Sequence, residues 1–134
     1  MARQFSTAVR NTWGDAFETT VGVSAKLSFY TGAPPAACAT AASGTLLATL
    51  SLPADWLSAA ASGSKSLLGT WTGTGAAAGT IGYYRITDTA GTTCHEQGTV
   101  TATGGGGDMT VDNTSIASAQ VVSITAYTLN MPGA

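Results

Sequence analysis

Apolar residues recur every fourth position at the start of the chain and every second position after it. Val9, Trp13, Phe17 and Val21 share the spacing of one helix face, with Ala16 beside them. Ser6 is placed to cap this helix, Phe5 to fold back on it as a hydrophobic staple, and Gly22 to end it. Gly14 inside the helix weakens it by about 1 kcal/mol relative to alanine. Arg3, Arg10, Asp15 and Glu18 make this the most charge-dense part of the chain. Residues 1–22 are therefore expected to form an N-terminal helix or arm. Its apolar stripe either packs on the same domain, the ordinary behaviour of an amphipathic helix, or docks on a neighbouring subunit.

Beyond Gly22 the period is two. In Lys26–Tyr30, Leu27 and Phe29 lie on one face, and Gly32 to Pro35 end the strand. A small-residue loop, 36–43, carries Cys38. The next strand places Leu46, Leu50 and Leu52 on one face, opposite Leu47, Thr49 and Ser51, and stops at Pro53. Asp55–Ala61 fits a short helix or a strand. Residues 65–73 read as a strand with Leu67 and Trp71 on one face. Residues 79–88 read as the strongest strand, rich in Ile and Tyr. Asp88-Thr-Ala-Gly91 is a turn signal leading into a partner strand over 92–100. Gly104–Gly107 predicts a flexible loop, and 108–113 a short strand with Met109 and Val111 inward. The segment 120–130 reads as a last strand with no wholly polar face, either central or covered by a partner. Seven or eight short strands with regular turn signals predict a mainly β fold over 23–134: a single antiparallel β-sandwich, jelly-roll-like or immunoglobulin-like. Leu27, Phe29, Leu50, Ile86 and Ile124 are its expected core.

The charge content narrows the functions open to the chain. Of 134 residues 9% are charged, the net charge is −2, and the five basic residues are scattered, which argues against a nucleic-acid partner. No run is long and apolar enough to span a bilayer, so no membrane partner is expected. Cys94 and His95 are adjacent, so on a strand they point to opposite faces and cannot share a metal or act as a nucleophile–base pair. Asp108 and Asp112 lack the alternating oxygen ligands of a calcium loop. The glycine-rich stretch 73–79 lacks the lysine of a phosphate loop. No catalytic residue, metal or cofactor is expected. The N-terminus lacks the apolar stretch of a signal peptide, so the chain is expected to be made and used without export. There, two free cysteines are the ordinary state, and a Cys38–Cys94 disulfide would form after release from the cell. The aromatic residues Tyr30, Trp71, Tyr83, Tyr84 and Tyr127 are either packing residues or a face for protein or sugar.

The segments FSTAVRNTWGDAFETTVG, AKLSFYTGAPPAAC, SGTLLATLSLPADW, GYYRITDTAGTTCHEQGTV and DMTVDNTSIASAQVVSITAYTLN span nearly the whole chain. In this layout the chain resembles a group of small virion structural proteins of tailed bacteriophages, similar to capsid decoration (cement) proteins. The resemblance implies binding to the outside of the phage head, with the major capsid protein as partner, and a homo-oligomer, most often a trimer. It implies no catalytic residue. The virion, after synthesis in the bacterial cytoplasm, is the implied location. Arg3, Phe5, Arg10, Trp13, Tyr84 and Tyr127 are the candidate protein contacts. A tail or fibre component that binds a host glycan through an aromatic face is the alternative.

Overall fold

The structure is a computed structural model that describes residues 2–134. Met1, the first residue of the expected arm, lies outside them. Helix α1 spans Thr7–Val21. The Ser6 side chain accepts a hydrogen bond from the Val9 N–H at 3.2 Å, and the Gly22 N–H donates to Glu18 O at 2.9 Å, so both ends close where the sequence signals them. Phe5 folds back on the helix. Its ring meets Trp13 edge-on, with centroids 4.7 Å apart.

The strands are β1 Lys26–Tyr30, β2 Leu46–Ser51, β3 Ser64–Ser66, β4 Trp71–Gly75, β5 Gly79–Thr80, β6 Tyr83–Thr87, β7 Cys94–Ala102, β8 Met109–Val111, β9 Ser115–Ile116, β10 Val121–Ile124 and β11 Thr128–Asn130. Seven of them form one curled sheet in the order β10-β4-β2-β1-β6-β7-β8. Two ribbons, β11-β3 and β5-β9, complete a mainly β fold with one helix. The curled sheet is compatible with a sandwich- or barrel-like arrangement. The expected core residues Leu27, Phe29, Leu50, Ile86 and Ile124 are all buried.

Several expectations change with the tertiary structure. The sheet is mixed: β7 and β8 run parallel, with Val100 opposite Met109. So short a return is possible because residues 103–108 fold tightly against β7. The Gly107 N–H donates to Thr101 Oγ1 at 3.0 Å, and a Cβ at Gly107 would sit 2.9 Å from the Thr101 nitrogen. The Asp108 carboxylate then accepts from the Thr99 N–H at 2.9 Å. Gly105 and Gly107 thus pack against Thr101 while Gly104 and Gly106 face open space.

In β2 the register slips between Phe29 and Tyr30, which pair with Ala48 and Leu46. This bulge shifts the alternation, so Leu47 turns inward and Leu46 outward. The segment 65–73 divides between β3 and β4, which belong to different sheets. The strand expected over 79–88 divides between β5 and β6 in the same way, and the last strand divides into β10 and β11. β10 is an edge strand, not a central one. Asp55–Ala61 forms neither a helix nor a strand, although Trp56 and Leu57 are buried.

Candidate interaction surface

Helix α1 meets the β3–β11 ribbon along a mostly polar seam. Arg10 donates through Nε and Nη2 to Met131 O at 3.1 and 2.8 Å. The Asn11 carboxamide oxygen accepts from the Gly63 N–H at 2.8 Å. Lys65, only 3% exposed, reaches Asp15 at 2.8 Å and Glu18 at 2.7 Å. Gly14 has a structural reason: a Cβ there would stand 2.6 Å from the Met131 methyl carbon and 3.1 Å from Lys65 Cδ. The helix propensity lost at Gly14 allows this close approach.

The apolar stripe therefore divides. Phe17 and Val21 pack toward the core. Phe5, Val9 and Trp13 stay 37%, 41% and 39% exposed. They form an apolar patch one helix turn apart in steps, with Ala8 and Thr12 beside a shallow hollow of about 250 Å³. Single exposed apolar residues are ordinary, but a contiguous cluster of large ones is a feature of interaction sites. Arg3 is exposed.

Three candidate contacts are placed otherwise. The Arg10 guanidinium is engaged by Met131 O and is half-buried. Tyr84 is 3% exposed, and Tyr127 is partly buried against Trp71 with ring centroids 5.2 Å apart. Both tyrosine hydroxyls donate to one carboxylate, that of Glu96. Their spacing carried no signal for this, because Glu96 on β7 and Tyr127 before β11 meet only through the fold. Of the remaining aromatic residues, Trp71 and Tyr83 are buried, and Tyr30 stacks on Tyr83 at 5.0 Å.

Residues 32–44, between β1 and β2, form a strap over the outer face of β1, β6 and β7. Cys38 and Cys94 are joined in a disulfide across 56 positions, with Cα atoms 5.4 Å apart. The expectation of free cysteines therefore does not hold in this structure: folding brings the strap onto the start of β7. Pro35 O accepts from Gln97 Nε2 at 2.8 Å, Thr40 O from Arg85 Nη2 at 2.6 Å, and Ser43 O from the Tyr83 hydroxyl at 2.6 Å. The strap is why all five residues of β6 are buried.

These contacts shift several pKa values. Burial raises the Tyr84 and Tyr127 hydroxyls, and the Glu96 charge raises them further. Burial alone would lower Lys65, but its bonds to Asp15 and Glu18 outweigh that and raise it. Asp15 is lowered by its hydrogen bond to Lys65, and Asp88 by the Thr92 and Thr93 N–H groups. A raised group gives stability that is complete below its unfolded pKa and is lost as the pH rises through the folded one. For Tyr and Lys the unfolded values lie near pH 10. Thermal stability is therefore expected to fall steeply above about pH 10, with Tyr84 and Tyr127 ionising only as the chain unfolds. Thermal unfolding at increasing alkaline pH, read with tyrosinate absorbance, checks this. A tyrosinate signal near pH 10 from folded protein that vanishes in Tyr84→Phe would contradict it.

Among the described residues no group of three or more His, Cys, Asp or Glu side chains could hold a metal ion. No helix among them is long and apolar enough to cross a membrane. Comparison with known proteins finds no matching family model, no matching curated protein and no matching solved structure.

Proposed function

We propose that the protein is a phage capsid decoration protein, which binds the outer surface of the head as a homo-oligomer and stabilises contacts between major capsid subunits. The observation that carries this reading is the Phe5–Val9–Trp13 patch, held on a helix that Lys65, Arg10 and Gly14 lock to the β-domain. A rigidly presented aromatic anchor suits adhesion because little side-chain entropy is lost on binding. The low charge of the chain as a whole, 9% of its residues, suits it too, since little ion desolvation opposes close packing. The strap disulfide suits a protein that folds inside a cell and persists outside it. Of the aromatic residues on which the glycan-binding alternative rests, Trp71, Tyr83 and Tyr84 lie in the interior.

The patch makes the proposal testable. Trp13→Ala together with Val9→Ser is expected to weaken binding to undecorated heads by about 2 kcal/mol or more, roughly thirtyfold. The thermal midpoint should move less than for a core substitution, because both side chains are about two-fifths exposed. Titration of labelled protein onto heads measures the first effect and circular dichroism the second. Unchanged head affinity in the double variant would remove the patch from the contact.

A further inference from the structure

The curled sheet has two outer strands, β8 and β10, and both line one groove of about 340 Å³. Its apolar lining includes Ile81, Ile116, Val122 and Ile124. β10 hydrogen-bonds to β4 on one side and, among the described residues, has no sheet neighbour on the other. In such an edge strand every second residue aims its N–H and C=O outward.

The two edges are protected to different degrees. β8 is three residues long and is bracketed by Asp108 and Asp112. β10 is also short, at four residues, but its register with β4 runs unbroken from Val121 to Ile124, with no bulge and no proline. No Asp, Glu, Lys, Arg or His occurs anywhere in residues 113–134. Val121, at the start of this edge, is 70% exposed.

We propose that β10 is a self-association edge, on which β10 of a second copy adds antiparallel about a two-fold axis at Ser123. This pairing sets Val121 opposite the partner's Thr125 on the exposed face and Val122 opposite the partner's Ile124 on the buried face. The second copy is the occupant because of the charge pattern. At a two-fold axis a residue faces its own image, so any charge near the centre repels itself, and a charge-free edge is what self-pairing requires. A foreign strand is under no such constraint and could be selected by opposite charge. The pairing covers Val121 and satisfies the open backbone edge together.

Isologous pairing makes a dimer of twice the 13.3 kDa chain mass, in place of the trimer that the phage resemblance implies. The proposal specifies how the homo-oligomer of the decoration reading forms, but it concerns the free chain, so its failure and a failure of head binding are separate results. The experiment is light scattering and sedimentation of the full chain. Wild type is expected as a dimer. Ser123→Lys and Ser123→Glu, at an exposed strand position, each place like charges face to face and are expected to weaken association at least about tenfold. An equimolar mixture of the two is expected to restore the dimer mass. Circular dichroism confirms that each variant is folded. A wild-type monomer or trimer at high micromolar concentration would overturn the proposal. So would a Ser123→Lys variant that associates like wild type, or a mixture of folded variants that stays monomeric.

Discussion

Reducing the Cys38–Cys94 bond is expected to lower the unfolding free energy by about 4 kcal/mol. The bond closes a loop across 56 positions, and chain entropy alone gives that size for such a loop. With the bond open, the strap is held by hydrogen bonds from Gln97, Arg85 and Tyr83 to its backbone. It covers Arg85, whose Nε has no hydrogen-bond partner among the described residues, and Gln97, whose Oε1 is likewise unpartnered. Burying such groups is unfavourable, so strap closure depends on the covalent tie and a few backbone acceptors. Urea unfolding with and without a dithiol reductant measures the stability change. Hydrogen exchange should show the amides of residues 33–44 accelerating before those of β1 and β6. Replacing both cysteines with serine should reproduce both effects. A change below about 1 kcal/mol would show that the strap is held mainly by its non-covalent contacts.

Trp56→Ala is expected to cost about 3 to 5 kcal/mol, the range for removing a large buried aromatic side chain. Trp56 is fully buried and lies between the helix and the sheet, with ring centroids 6.1 Å from Phe17 and 5.9 Å from Trp71. Its indole N–H donates to Gly22 O at 3.0 Å, at the end of α1. The substitution therefore opens a cavity and releases a helix-end carbonyl from its partner. Trp13→Ala removes the same side chain from a partly exposed position packed on Phe5 and should cost less, about 1 to 2 kcal/mol. Denaturant titration of the two variants side by side decides the point. Equal losses would mean that the helix is seated differently, with Trp13 inward.

The parts of the fold legible in the sequence are those set by neighbours a few residues apart. The helix over 7–21 followed from a four-residue spacing and two end signals, and the β6–β7 hairpin from Asp88 and Gly91. The inner face of β1 followed from alternation alone. What escaped the reading depends on residues distant in the chain. Trp56 is core without belonging to any regular element, because its partners come from α1 and β4. The bulge at Leu47 and the parallel turn before β8 change which residues face inward, and neither leaves a simple period.

The exposed apolar patch was half visible. Phe5, Val9 and Trp13 share one spacing with Phe17 and Val21, and only the seam made by Gly14 and Lys65 separates the exposed part from the packed part. Tyr84 and Tyr127 have the composition of contact residues, but the Glu96 carboxylate draws both hydroxyls inward. The sequence reads residues 121–124 as the first part of one strand over 120–130, central or covered by a partner. The exposure of the β10 edge follows from the chain leaving the main sheet after Ile124 to pair with β3.

The proposed role meets its most direct test in co-sedimentation of the purified protein with undecorated phage heads and, in parallel, with host cells. The account predicts saturable binding to heads at hundreds of copies, only weakly reduced by high salt because apolar burial drives it. It predicts no binding to cells. Protein that leaves the heads bare and sediments with cells would contradict it.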